Sequence, residues 1–440
     1  MRYFIVTYGC QMNEADSSLM AGLLERAGWE RCASAEEASL LILNTCSVRE
    51  KPEQKVYSRL GELRGWKQAA PSRMIAVTGC MAQREGARIL QRAPYVDLIL
   101  GTRRFHRIEE LASRVGAGER PIIDLGLDSD PSALRCQMQD THAPAPLRAY
   151  VPVILGCSNF CAYCIVPFVR GREASRLPES TMHEVESLVR RGCREVTLLG
   201  QNVLAYGRDL AHQPRFADLL RRLGGANSLW RIRFTTCHPR DVSDDLISAI
   251  ADVPAVCEHI HLPVQAGTDR LLWDMKRGYT TGQYEAVVRQ LRASVPGIAI
   301  TTDIMVGFPG ETDDDFQQSL EFYEHIGFDG AFMFAYSPRP GTAAVRRPGQ
   351  VARAVRLARL QKLISVQNSI TQEHNHCEVG RVVEVLVDGP PERGKGLLAG
   401  RARSNKLAIF PGQTDLTGSL VQVRLRQSHV WGFDGELVAP

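Results

Sequence analysis

No apolar run in this 440-residue chain approaches the roughly 18–20 residues that a membrane-spanning helix needs. Strong charge is missing too. The 53 basic and 49 acidic residues leave +4, too little to demand a polyanionic partner and enough to permit one if the basic groups cluster. The opening MRYFIVTYGC has a short apolar run and no signal-peptide cleavage pattern. The expected location is therefore the cytoplasm, with no membrane association. No Ser–His–Asp or paired-carboxylate arrangement suggests acid–base hydrolysis. Bulk disorder is excluded by a composition of 44% hydrophobic and 23% charged residues, and the length allows two or three domains with separate cores. What the chain does have is cysteine, twelve in all. Cytosolic thiols stay reduced, so clustered cysteines there point to metal or redox chemistry before a disulfide framework.

The first 118 residues alternate apolar runs with helical patterns. RYFIVTYGC, SLLILNTC, RMIAVTGC and YVDLILG read as four buried parallel strands of a doubly wound α/β domain. Three of these runs end in a cysteine: Cys10, Cys46 and Cys80. Functional groups in such sheets collect outside the carboxyl ends of the strands, so three thiols far apart in sequence can converge there. Residues 119–147 are expected to form a linker; its later part is polar and proline-bearing, and Cys136 within it is assigned no role. From 148 to 373, six strand-like runs separated by helical segments predict a complete or partial (β/α) barrel, AYVPVILGC being the first and GAFMFAYSPRPG the last. Residues 374–440 shorten into alternating strands with glycine turns, the pattern of a small antiparallel β-barrel. Cys32, Cys193, Cys237, Cys257 and Cys377 read as packing residues.

The densest motif is ILGCSNFCAYCIVPFVRGRE, which places Cys157, Cys161 and Cys164 on the loop after the first barrel strand. Structural zinc usually draws paired C-x2-C knuckles supplying four ligands, and only one such pair occurs here. A disulfide would strand one thiol. Three thiolates can instead hold three irons of a [4Fe–4S] cube and leave the fourth iron open, and an open position marks a catalytic centre.

C-x3-C-x2-C on the first loop of a (β/α) barrel resembles the radical S-adenosylmethionine enzymes. The resemblance implies that the cofactor chelates the fourth iron and is cleaved to a 5′-deoxyadenosyl radical, with Tyr163 near its adenine. With the three N-terminal cysteines in TYGCQMN, LNTCSVRE and VTGCMAQRE and a terminal β-barrel similar to the TRAM domain, the whole chain resembles the methylthiotransferase family, in its MiaB branch. LLGQNVLAYG, HLPVQAGTDRLLWDMKRGYT, GFPGETDDDF and YSPRPGTAA look like that branch as well; QAGTDR departs from the more usual Ser-Gly-Ser wording.

That resemblance implies two [4Fe–4S] clusters, one on Cys10, Cys46 and Cys80 and one on Cys157, Cys161 and Cys164, with S-adenosylmethionine on the second. The implied reaction is methylthiolation of carbon 2 of N6-isopentenyladenosine at position 37 of tRNA. It implies further partners: an electron donor such as flavodoxin or ferredoxin, and a sulfur and cluster supply. The chain is expected to be a monomer. Gln201, Asn202, Gln265, Arg277 and Asp303 fall at strand ends where cofactor contacts are expected. Phosphate contacts are expected from Arg170, Arg172, Arg401, Arg403 and Lys406, with Arg353, Arg356 and Arg359 on a helix within a basic stretch. Rival readings keep the chemistry on threonylcarbamoyladenosine or a ribosomal-protein aspartate, or replace it with a non-catalytic iron–sulfur redox sensor or a zinc protein that binds RNA.

Overall fold

A computed structural model of the chain describes residues 1–47, 50–127, 145–226 and 228–438, the side chains of 50–52 excepted. The first sheet is wholly parallel. It consists of β1 (Arg2–Thr7), β2 (Glu30–Arg31), β3 (Leu40–Thr45), β4 (Met74–Thr78), β5 (Leu98–Leu100) and β6 (Ile122–Asp124), in the order β2-β1-β3-β4-β5-β6. Helices α1 (Gln11–Arg26), α2 (Glu50–Ala69), α3 (Gly79–Glu85), α4 (Arg88–Arg92) and α5 (Ile108–Gly116) alternate with the strands. Leu40, Ile42, Met74 and Ala76 pack against α1 and α5, while Leu41, Leu43, Ile75 and Val77 pack against α2, α3 and α4. Burial on both faces explains why β3 and β4 read as continuous apolar runs. The chain order reverses between β1 and β3, and a doubly wound sheet binds its ligands at that switch point.

Two strands in this sheet exceed the four expected. At two and three residues, β2 and β6 are too short to show periodicity. β6 occupies part of the 119–147 segment and hydrogen-bonds beside β5. Cys136 lies outside the described residues.

The next six parallel strands match the six apolar runs. β7 (Arg148–Pro152) leads into β8 (Ile154–Leu155), which pairs with β9 (Ala174–Ser175) and brackets α6 (Val166–Arg170). β10 (Glu195–Leu199) and β11 (Arg231–Phe234) form a sheet with β7, and β12 (His259–His261), β13 (Ala299–Val306) and β14 (Gly330–Ala335) form another. The halves meet where Ile232 bridges Val256. Around them lie α7 (Pro178–Arg190), α8 (Phe216–Gly224), α9 (Asp244–Asp252), α10 (Asp269–Asp274), α11 (Thr281–Ser294) and α12 (Asp313–Ile326). This is a partial (β/α) barrel, with β7 and β14 as its edges.

Its two faces differ in chemistry. Val151, Val196, Leu198, Ile232, Phe234, Ile260, Ile300 and Ile304 belong to the large core shared with the helices. The alternate positions carry Arg148, Tyr150, Glu195, Arg231, Arg233, His259, His261 and Asp303, a polar interior.

A 25-residue helix, α13 (Arg353–Cys377), crosses β14 and leads to the last module. There β15 (Val382–Gly389), β16 (Leu397–Ala402), β17 (Leu407–Pro411), β18 (Leu420–His429) and β19 (Gly432–Leu437) close into a barrel ordered β15-β16-β17-β19-β18. This barrel is bolted to the amino-terminal end of the larger barrel's interior. Arg231 donates to the carbonyl of Arg401 (2.6 Å) and to Glu384, and Arg233 donates to the carbonyls of Ala402 and Arg403 (both 2.8 Å). Among the described residues no helix is long and apolar enough to cross a membrane.

Candidate functional site

The first thiol set lies at the carboxyl ends of β1, β3 and β4. Cys10 caps α1, Cys46 follows β3, and Cys80 opens α3. Two buried asparagines lock these loops together. Asn13 donates to Asn44 and to the Thr45 carbonyl (both 3.2 Å), and Asn44 returns a bond to the Asn13 carbonyl (2.8 Å). Gly79 has φ +90°, and a Cβ there would lie 2.4 Å from the Thr45 carbonyl oxygen, so only glycine brings the Cys80 turn this close to β3. A hydrogen bond from Cys46 pulls the Cys10 thiol down to about 5, whereas burial pushes Cys80 up. The Arg170 Nε–H donates to Cys80 Sγ at 3.2 Å.

The second set is arranged by a tight loop after β8. Gly156 has φ +77° and sits where a Cβ would meet the Arg172 carbonyl oxygen at 2.2 Å. Its N–H donates to Gln201 Oε1 (2.8 Å), so Gln201 holds the loop in place. Cys157 N–H donates to the Gly171 carbonyl, and Ala162 N–H to that of Met275. Burial first, then repulsion from Cys161, pushes the Cys164 thiol up to about 12; burial also pushes Cys157 up to about 11. Such thiols become thiolates when metal supplies the counter-charge. Among the described residues no group of three or more His, Cys, Asp or Glu side chains is placed to hold a single metal ion.

Arg277 is buried beside this loop, donating to the Pro263 carbonyl (2.8 Å), to Tyr279 Oη (3.1 Å) and to Cys161 Sγ (3.5 Å). Tyr163 is half-buried among Cys161, Cys164 and Arg277, and its phenol is driven up by burial. Asn202 donates to Asp241 (2.6 Å), and its buried Oδ1 has no hydrogen-bond partner. His238 is likewise buried with an unpartnered Nδ1; burial pulls it down to about 3, so the ring is neutral. Gln265, with φ +72°, contributes through its backbone, which bridges β13 at Asp303 and Met305. Asp303 lies within β13 on the barrel interior, 3.4 Å from His261 Nε2. Both buried orphan atoms and the donor set of three thiols beside an arginine fit a cluster with a bound polar cofactor.

The expected phosphate contacts separate into two groups. Arg170 is buried, with its carboxylate partner Asp16 at 2.6 Å. Arg359 is buried against Glu311 and Asp313 (both 2.6 Å), and Arg356 donates to the Tyr336 carbonyl. Arg403 grips Glu258 (2.7 Å), Lys406 reaches Asp329 (2.9 Å) and Glu378 (2.5 Å), and Arg401 donates to the Asn405 carbonyl (2.9 Å). These six groups face protein. Arg172 and Arg353 are exposed.

The sequence reading did not select Asn13, Asn44, Asp16, Tyr150, His261 or Phe332. The last three sit on the barrel's inward face, and the alternation in RIRF and HIH was the available signal that this face is polar.

A three-thiol loop on the first βα turn of a partial barrel is the signature of a radical S-adenosylmethionine protein, and residues 151–323 match the Radical SAM superfamily. Residues 2–101 match the family described as Uncharacterized protein family UPF0004. The chain belongs to the family of tRNA-2-methylthio-N(6)-dimethylallyladenosine synthases. It is 49% identical to the synthase of Moorella thermoacetica, over 99% of this chain and 98% of that one, and 44% identical to that of Carboxydothermus hydrogenoformans, over 99% of each. Solved structures share the fold. The radical S-adenosylmethionine methyltransferase TsrM from Kitasatospora setae aligns with TM-score 0.59 at 15% identity, covering 78% of this chain and 74% of that one. The cobalamin-dependent radical enzyme OxsB aligns with TM-score 0.55 at 10% identity, covering 84% of this chain and 56% of that one.

Proposed function

We propose that this chain replaces the carbon-2 hydrogen of N6-isopentenyladenosine in tRNA, at the adenosine beside the anticodon, with a methylthio group. The carrying observation is the pair of three-thiol sets, one at the switch point of the first sheet and one on the barrel loop, on either side of one domain contact. The name its relatives carry supports the substrate. When bound, two [4Fe–4S] clusters and S-adenosylmethionine would supply the methyl group and the radical that this inert C–H bond requires.

The chain's own groups bind and orient. Cys10, Cys46 and Cys80 hold one cluster; Cys157, Cys161 and Cys164 hold the other. Asn202 Oδ1, an unpaired buried acceptor, would suit the methionyl ammonium, and Arg277 and Tyr163, beside the Cys161 loop, would contact the cofactor there. The target base leaves its stack and enters between the edge strands. Tyr150 on β7 and Phe332 on β14 are 41% and 55% exposed, so each edge offers an aromatic face. Phe332 also packs edge-on against His261, at 5.7 Å between centroids. Asp303 accepts the one N–H that N6 keeps after alkylation. Arg172 and Arg353 remain as phosphate contacts. The working units are the first domain through β6, the barrel from β7 through α13, and the terminal module from β15, so the linker and the last boundary both fall later than 118 and 373. A monomer in the cytoplasm, served by a flavodoxin or ferredoxin and by a sulfur and cluster supply, completes the proposal.

Mass spectrometry of tRNA nucleosides from cells with and without the gene tests this. Loss of the 2-methylthio group with build-up of N6-isopentenyladenosine is expected. A methylthio group lost from a threonylcarbamoyl nucleoside instead, or no change in any tRNA nucleoside, overturns the substrate. With purified enzyme, Phe332→Ala is expected to lower kcat/KM for prenylated tRNA by roughly tenfold, the size of one lost base–aromatic stack, with Phe332→Tyr close to the parent.

A further inference from the structure

Arg170 is a buried charge between the first domain and the barrel. It ends α6, six residues after Cys164, yet its side chain points into the other domain. All three guanidinium nitrogens are engaged there. Nε donates to Cys80 Sγ at 3.2 Å, while Nη1 and Nη2 donate to the two oxygens of Asp16 at 3.4 and 2.6 Å. The first domain grips the same segment in return. Thr102 Oγ1 donates to the Val169 carbonyl (2.6 Å), Arg103 Nε to that of Arg170 (2.8 Å), and Arg103 Nη2 to that of Arg172. Cys80, Ile165 and Val169 form an apolar contact beside these bonds, which keeps water away from them.

A planar fork with five donors can serve a carboxylate on one edge and a sulfur on the other, and a lysine cannot. N–H donation to a ligand sulfur favours the more negative, reduced form of an iron–sulfur cluster. We infer that Arg170 is a positioning residue for the cluster on Cys10, Cys46 and Cys80: it fixes Cys80, ties that cluster to the barrel, and raises the cluster's reduction potential. The inference rests on the proposed cluster at that triad, and goes beyond it by naming what tunes it.

The test uses the full chain carrying Cys157→Ala, Cys161→Ala and Cys164→Ala, so that the N-terminal cluster alone titrates. After anaerobic reconstitution, iron and sulfide content, circular dichroism and an EPR-monitored redox titration are compared with and without Arg170→Met and Arg170→Lys. The expected result is a shift to lower potential. At the parent's midpoint potential, Arg170→Met should show roughly tenfold fewer reduced than oxidised clusters, the scale of one charge-assisted hydrogen bond. Arg170→Lys, which keeps charge and loses the fork, should shift less. Equal potentials in a loaded Arg170→Met protein overturn the inference; if that variant fails to load, an unshifted Arg170→Lys does so. A parent that binds no iron overturns the cluster reading itself, which separates the two failures.

Discussion

Cys161→Ala is expected to abolish both the 2-methylthio product and 5′-deoxyadenosine, whereas Cys46→Ala abolishes the product and leaves 5′-deoxyadenosine formation in place. The two triads sit in different sheets, and neither contributes a thiol to the other. With the barrel thiols holding the cluster as proposed, loss of one removes the site where the cofactor is cleaved. Acid–base help is worth about 10²–10⁴-fold, far short of what this C–H bond needs. Loss of Cys46 leaves the barrel loop, Arg277 and the Gln201 contact untouched, so the radical still forms and is quenched without product. Iron should fall from about eight to about four per chain in each variant, one cluster's worth. Chromatography of both products from a single reaction decides it. Uncoupled 5′-deoxyadenosine from Cys161→Ala, or none from Cys46→Ala, contradicts the division of labour.

The second large effect concerns stability. Glu195 is buried in the barrel interior and is the carboxylate shared by Arg148 (3.2 Å), Arg233 (3.1 Å) and, at 3.9 Å, Arg231. Arg231 is fully buried. Removing one partner of a buried ion pair typically costs about 3–5 kcal/mol, because the remaining charge stays desolvated. Glu195→Ala should therefore lower the denaturation midpoint sharply. It should also expose the joint near residue 380 to protease, since Arg231 and Arg233 hold the terminal barrel. Glu195→Gln, which keeps the volume and two hydrogen-bonding atoms, should fall between. A Glu195→Ala protein that melts and resists protease like the parent would show that the arginines are held by the carbonyls alone.

The two cysteine triads stand out in the sequence because each member ends a strand or closes a short spacing, and both signals are local. The barrel strands were legible as apolar runs, and the terminal barrel as alternation between glycine turns. Which basic side chains are tied up by protein partners was not. A basic stretch reports charge and says nothing about which side chain turns inward. Arg359 shows the difficulty: it begins a buried stripe with Leu363, Gln367, Thr371 and Asn375, one residue every four. Most of that stripe is polar, so α13 has no apolar period to reveal its inner face. Instead Gln367 and Asn375 bond the carbonyls of Phe328 and His429 across the interface. The interior seat proposed for the base was hidden for a related reason. Tyr150 and Phe332 sit 182 positions apart, and only closure of the strands gives them a common opening.

The joint beneath that opening has a consequence for sequence drift. Three of the acceptors that Arg231 and Arg233 use on the β16 end are main-chain carbonyls, at residues 401, 402 and 403. The attachment itself reads the path of the hairpin and not the residue types at those three positions. The terminal module can thus acquire new recognition surfaces while its seat on the catalytic barrel stays where it was.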